Sequence, residues 1–422
     1  MEPGAHARAT RGATVGAWPV SAWSPRPGAT AAAPRPAHRG KAGTLPAGRR
    51  RAAEKTKLTS DMWMIVFFVL PAIGLAYTLW HIWSLLPFGG PGRTAIVAVC
   101  LLAFLTVFLS FSRATDDMPL GLASACYETG NSAIFVLLYM VMAFMLLDAG
   151  RLLHIVPRHW LHANGYTSAA LLAVMAATFT YGYINYRHKV RQPLELTTAK
   201  DIGRDMKVVM LSDLHIGYHN RRKELARWVD MINAEHADAV LIAGDLIDGS
   251  LRPLAEEGMD AELRRISAPV FACPGNHEYI GGIGRAADFM ARAGITLLRD
   301  SVATAGGLCI IGRDDRSNPH RRSIAELMRK ADNAMFTIVL DHQPYHLERT
   351  ERAGADFQLS GHTHHGQLWP ISWITDAVYE CAFGPWQRGR TRYYVSSGMG
   401  IWGGKFRIGT RSEYIVATIR RL

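Results

Sequence analysis

The chain has 422 residues, 49% of them apolar and only 19% charged, with a mean hydropathy of +0.03. That balance excludes a disordered or fibrous chain, and five scattered cysteines without CxxC spacing exclude a disulfide framework or a thiolate-bound metal. The net charge of +12 is local: residues 1–60 hold eleven Lys/Arg against two acids, a net +9, so the remainder carries only +3 and no nucleic-acid partner is expected.

Residues 1–60 are rich in Ala, Gly, Pro and Arg and lack apolar periodicity, which predicts a disordered basic tail. The next region, 61–190, differs in kind. Met62–Gly92, Thr94–Ser112, Thr129–Leu147 and His159–Tyr186 contain no Asp, Glu, Lys or Arg. Each is at or near the length needed to cross the hydrocarbon core, so four transmembrane helices are expected over 62–86, 94–112, 131–150 and 167–185. Trp80, Trp83, Tyr183 and Tyr186 fall near span ends, where amphipathic rings favour the interface. The basic tail and Arg187–Arg191 flank an even number of spans, which predicts a multi-pass cell-membrane protein whose C-terminal domain is cytoplasmic. His81 and Asp148 sit near span ends and no ionisable residue is mid-span, so the region reads as an anchor rather than a transporter.

Beyond residue 200, short β-branched runs alternate with helical patterns. Val208–Leu211, Ala239–Ile242 and Val270–Ala272 read as strands, and Leu225, Trp228, Val229 and Ile232 have the i, i+3, i+4, i+7 spacing of one helix face. Later strand-like runs are Leu308–Ile311, Phe336–Leu340, Phe357–Leu359, Tyr393–Val395 and Tyr414–Ala417. This is an α/β pattern long enough for one layered domain over 200–422.

Polar blocks follow five of the strands: Ser212-Asp213-Leu214-His215, Gly244-Asp245, Gly275-Asn276-His277-Glu278, Asp341-His342 and Gly361-His362-Thr363-His364. Open α/β sheets gather ligand sites at the carboxyl ends of their strands. Asp, His and Asn converging there form an oxygen and imidazole donor set for borderline divalent metals, with manganese first and iron, zinc or magnesium as alternatives. Seven ligands exceed what one ion with an open position can use, so two ions sharing a carboxylate fit better.

In that order the blocks resemble the DxH, GD, GNHE, H and GHTH motifs of the calcineurin-like metallophosphoesterases, over roughly residues 205–422. The resemblance implies a four-layer α/β/β/α sandwich with a two-metal centre. It implies that Asp213, His215 and His364 hold one ion, that Asn276, His342 and His362 hold the other, and that Asp245 bridges them. His277 would be the catalytic acid or transition-state partner, a role that suits its titration range. Ser396–Gly400 followed by Gly403–Arg407 is similar to the ending of a membrane-associated bacterial branch that includes UDP-2,3-diacylglucosamine diphosphatases. Two departures stand out: His365 replaces the Gly of GHTHGGQ, and His277 stands where the soluble form of that diphosphatase has Arg.

The expected function is therefore hydrolysis of phosphodiester or pyrophosphate bonds by a membrane-anchored dinuclear enzyme, on a membrane lipid or lipid-linked substrate. The same motifs allow a phosphodiesterase or phosphatase acting on nucleotides or phosphoproteins, or a non-catalytic membrane sensor. Arg313 and Arg407 are candidates for a phosphate-binding fork, with surface ion pairs as the plainer alternative. Asp248 and Glu278 read as supporting or turn residues, and Asp341 as support for His342. His219, His236, His320, His346 and His365 read as ordinary core or surface groups. Trp369, Trp373, Trp386 and Trp402 could form an apolar collar facing a membrane or acyl chain, with ordinary core packing the plainer alternative for two of them.

Overall fold

The computed structural model describes residues 69–110 and 112–422. The basic segment 1–60 and the start of the first predicted span, 62–68, lie outside the described residues. Four long helices come first: α1 (Leu70–Leu85), α2 (Gly90–Ser110), α3 (Leu120–Leu152) and α4 (Gly165–Arg187). Proline in the first turn of α1 and α2, where its missing N–H is not needed, sets both starts. Asn164 Oδ1 accepts from Thr167 N at 2.9 Å and caps α4. The turns after α1 and before α4 meet, with Ala163 N donating to Ser84 O and Asn164 N to Leu85 O, both at 2.9 Å.

Helices α2, α3 and α4, of 21, 33 and 23 residues, are long and apolar enough to cross a membrane. The third predicted span, 131–150, proves much longer. Its first three turns carry Glu128, which ended the charge-free run, but Lys405 pairs with Glu128 at 3.0 Å and the helix continues through it.

The last helix runs into strand β1 (Lys189–Thr198) with only His188 between them. The sheet region thus begins at Lys189, earlier than the expected 200. β1 pairs in parallel with the last strand, β12 (Ser412–Arg421), at the edge of the first sheet. That sheet continues through β2 (Met206–Leu211), β3 (Ala239–Ala243), β4 (Val270–Cys273) and β5 (Ile295–Leu297). The second sheet, in spatial order, is β10 (Gly384–Arg388), β11 (Thr391–Val395), β9 (Phe357–Ser360), β8 (Phe336–Leu340), β7 (Leu308–Gly312) and β6 (Ser301–Ala305).

Strand alternation builds four layers. Val208 and Met210 point into the space between the sheets, where they meet Leu241, Ile338, Phe357 and Leu359. Val209 and Leu211 point the other way, against Leu225, Trp228, Val229 and Ile232 of α5 (Arg222–Ala234). These four helix residues are fully buried, a contribution of about 1.5–3 kcal/mol for each large apolar side chain. On the far face of the second sheet, Ile311 and Val339 pack against Ile324, Leu327 and Met328. The result is the expected α/β/β/α sandwich.

The helices ahead of the sandwich dock on its loops. Tyr139 Oη donates to Trp369 O at 2.7 Å, Asn185 Nδ2 to Thr410 O at 2.7 Å, and Tyr186 Oη to Asn220 Oδ1 at 2.6 Å. Phe135 and Tyr139 share an apolar cluster with Leu368 and Ile408.

Candidate metal centre

Strands β2, β3 and β4 of the first sheet and β8 and β9 of the second end at one edge, and each is followed by a polar block. Five of the seven predicted ligands, Asp213, His215, Asp245, His362 and His364, have left-handed backbone, with φ between 45° and 70°. Non-glycine residues avoid this region, and its concentration here is strain held by the surrounding structure. Glycines make room: a Cβ on Gly275 would stand 2.1 Å from Asp245 Oδ1, and one on Gly361 2.2 Å from Asp213 Oδ2.

The donors form two groups. Asp213, His215 and His364 converge, with His215 Nε2 3.1 Å from His364 Nε2 and Asp213 Oδ1 3.5 Å from His364 Nε2. Asp245, His342 and His362 form the other. Asp245 lies between them: its Oδ2 is 3.0 Å from His342 Nε2 and 3.7 Å from His215 Nε2, while Oδ1 accepts from His277 N at 2.9 Å. Asn276 opens the short helix Asn276–Gly281, which follows β4.

The donor chemistry fits two cations. His342 Nδ1 bonds Ala243 O at 2.8 Å and so carries hydrogen, which leaves its Nε2 aimed at a carboxylate. That Nε2 and Asn276 Oδ1 are buried without a hydrogen-bond partner among the described residues. Buried polar atoms are rarely left so unless a ligand satisfies them. Without a cation, protons must do that work. Burial opposes charge on His215, but Asp213 and Asp248 override it and push the imidazole up to about 10. Burial likewise opposes charge on His342, and Asp245 raises it well above the usual range. His362 goes the other way, down to about 4, through burial and then the charge of His342. Burial resists ionisation of Asp213 and Asp245, yet their imidazole neighbours, His364 and His342 foremost, hold both below the usual carboxylate range.

A supporting layer fixes these side chains. Glu278 is fully buried and accepts from Gly275 N (2.7 Å), Ile247 N (2.9 Å) and Asp245 N (3.1 Å), tying two ligand loops together. Asp248 Oδ1 faces His215 Nδ1 at 3.2 Å, and its carbonyl accepts from His277 Nδ1. His277 stands at the rim with its ring edge-on to His215 at 4.6 Å.

The two arginines take other roles. Arg407 is fully buried, and its guanidinium donates to the carbonyls of His364 (2.7 Å), Gly400 (3.1 Å) and Ser397. It clamps the His364 turn from behind, so no face of it is open to a phosphate. Burial lowers its guanidinium to about 10. Arg313 is also buried and pairs with Asp341 at 2.9 Å, where Arg321 joins at 3.2 Å. His365, at φ 48°, turns away from the centre and stacks on Phe383 at 4.7 Å, with Asp376 3.4 Å from its Nε2. Of the four tryptophans only Trp369 and Trp373 adjoin, ring to ring at 5.3 Å. Trp386 lines a hollow with Leu194, Leu196 and Tyr393 instead, so a single collar does not form.

Sequence reasoning missed Tyr127, which reaches Asp248, and Tyr345 and Tyr379, whose hydroxyls meet at 3.0 Å beside His362. Tyr127 lay just before the charge-free run, although apolar residues at Leu120 and Ala123 already continue the helix.

A two-sheet sandwich whose strand ends carry two Asp/His donor groups on a shared carboxylate has the layout of a dinuclear metal-site domain. Residues 206–366 match the calcineurin-like phosphoesterase family, and this part of the chain is a calcineurin-like metallophosphoesterase domain. The chain is 30% identical over 227 residues to an uncharacterized metallophosphoesterase of Helicobacter pylori, covering 52% of this chain and 61% of that protein. It is 29% identical over 266 residues to a transmembrane protein with metallophosphoesterase domain of Danio rerio, covering 57% of this chain and 60% of the relative. Likeness to an uncharacterized metallophosphoesterase of Bacillus subtilis, YkuE, is 28% over 276 residues, 61% of this chain and 96% of that one. The chain thus spans about three-fifths of the length of the first two relatives.

Proposed function

We propose that the protein is a membrane-anchored, dinuclear-metal phosphohydrolase acting on phosphodiester or pyrophosphate bonds of a lipid-linked substrate. The observation that carries the reaction class is Asp245 Oδ2 poised between His342 Nε2 and His215 Nε2, with orphaned donors of the second group beside it. Two divalent ions in such a centre act as Lewis acids toward a phosphoryl oxygen and acidify water. Asp213, His215 and His364 would hold one, Asn276, His342 and His362 the other, and Asp245 both; manganese suits this donor set.

His277 supplies the proton chemistry. Its Nδ1 is committed to the Asp248 carbonyl as a donor, so Nε2 is the nitrogen presented at the rim. Protonated, it donates to a phosphoryl or leaving oxygen.

Two features support a lipid-linked substrate. Helix Ile371–Val378 follows the His364 turn and leaves Trp373, Ile374 and Val378 64%, 62% and 58% exposed. That apolar face adjoins Trp369, whose carbonyl is bonded by Tyr139 of α3, so it continues the apolar surface of the helices. The relatives named for a transmembrane region point the same way. The basic flanks of the spans support a cytoplasmic location for the hydrolase domain.

The test is metal content and manganese-dependent hydrolysis of bis-p-nitrophenyl phosphate by the full chain in nanodiscs, beside His277→Ala. Two ions per chain, with turnover that the variant loses, are expected. Absence of bound metal, or equal turnover by the variant, would refute the reading. Lipid pyrophosphates in the same discs, compared with soluble nucleotides, test the substrate class.

A further inference from the structure

We infer that Tyr127, a residue of the apolar helix α3, is a positioning residue of the metal centre: its hydroxyl fixes the carboxylate that orients His215. The inference rests on the dinuclear reading above.

Tyr127 lies two turns into α3 and is buried against the sandwich. Its ring stacks on His219 at 5.1 Å and 15° and on Tyr218 at 5.9 Å. Its hydroxyl donates to Asp248 Oδ2 at 2.6 Å. A buried phenol needs a partner, and here the partner is one residue from the metal donors. The other oxygen of Asp248 faces His215 Nδ1 at 3.2 Å, and His215 Nε2 then points at Asp213 and His364. Tyr127 makes the one hydrogen bond to Oδ2 among the described residues. Without it Oδ2 keeps only His219 Nδ1, 3.9 Å away, and the carboxylate that sets the ring plane of His215 is held less firmly. Imidazole ligands held in this way by a carboxylate lose metal affinity when the carboxylate is disturbed.

The surrounding contacts make α3 a rigid support rather than a chance neighbour. Glu128 pairs with Lys405 at 3.0 Å, and Phe135 packs under Gly404, where a Cβ would stand 2.8 Å from the ring. Asn131 Nδ2 donates to Tyr127 O at 2.8 Å. Packing of the helix bundle and geometry of the His215 ion are therefore one problem. A hydrolase domain freed from α3 has an incomplete support for that ion.

The experiment is a manganese titration by calorimetry of the full chain in nanodiscs, with free manganese counted by electron paramagnetic resonance. Tyr127→Phe, which keeps the stacked ring, should weaken one of two binding steps about tenfold and leave the other within twofold. Tyr218→Phe, in the same stack but away from Asp248, should change neither. Asp248→Asn should weaken the same step, and adding Tyr127→Phe to it should cost less than a further twofold. Both steps unchanged in Tyr127→Phe would overturn the inference; should that variant not fold, both steps unchanged in Asp248→Asn would do so. A parent chain that binds no manganese would instead overturn the dinuclear reading on which the inference rests.

Discussion

Arg407→Met separates two meanings of a conspicuous arginine. By sequence it is a candidate for a phosphate fork or a surface ion pair; in the structure it is a buried clamp on four backbone carbonyls, those of His364, Ser397, Gly398 and Gly400. Methionine fills much of the space and donates nothing. The His364 and Gly398 carbonyls keep Gln367 N and Glu413 N as donors, so the carbonyls of Ser397 and Gly400 are the ones left unpaired; at about 1–3 kcal/mol for each buried group they give about 2–6 kcal/mol. Water entering the site and release of a buried guanidinium pull toward the low end, about 2 kcal/mol. For a domain of this size that is a fall of about 4–8 °C in Tm, read by thermal scanning in detergent. The ion held by His364 should weaken as well, because the clamp sets the turn from which that imidazole projects. KM for bis-p-nitrophenyl phosphate, measured with metal in excess, should move little. A variant of normal Tm and normal metal affinity whose KM rises tenfold would refute the clamp and restore the fork.

Three further outcomes are expected. Gly275→Ala drives a Cβ to within 2.1 Å of Asp245 Oδ1, so the shared carboxylate must shift and turnover should drop about a hundredfold with the fold intact; near-normal turnover would show that the loop relaxes freely. Asp314 is buried, which alone would raise its pKa, but Asn318, Tyr279 and Arg299 hold it below the usual value. A carboxyl depressed in the folded state stabilises above its unfolded pKa of about 3.9 and loses that contribution as pH falls through the folded value, so Asp314→Asn should flatten the decline of Tm between pH 5 and pH 3, and an unaltered acid limb would contradict this. Trp373→Ser removes an exposed ring worth about 1.5–3 kcal/mol on burial in a bilayer, so hydrolysis of vesicle-borne substrate should fall about tenfold while bis-p-nitrophenyl phosphate is unaffected; an equal loss on both would place Trp373 in the fold rather than at the lipid.

The ligand blocks were legible because each follows a strand whose β-branched run is visible, and topology alone then gathers the strand ends at one edge. The residues that hold those ligands were not. Arg407 acts on carbonyls as distant in the chain as His364, and a guanidinium aimed at backbone leaves no pattern in side-chain types. β1 was missed for a different reason. Its Lys-Val-Arg-Gln-Pro run carries charges and a proline, which a central strand excludes, but β1 is an edge strand with a free side where both are tolerated. α3 was cut short because Glu128 reads as the end of a span until Lys405, nearly three hundred residues on, is seen to pair with it.

These missed elements share a consequence. α4 passes into β1 across the single residue His188, and α3 runs three turns along the loops that bear His215 and Gly404. With two such attachments the sandwich has little freedom to reorient against the helices, unlike a domain on a flexible linker. On the proposed reading, the centre then sits at a fixed height above the bilayer, and a lipid headgroup must rise to it along the face formed by Trp369, Trp373 and Ile374. A soluble ester would have no use for that apolar face. Both substrates would meet the same His277 and the same donors, so preference between them should reside in KM, where remote binding is expressed, and not in kcat.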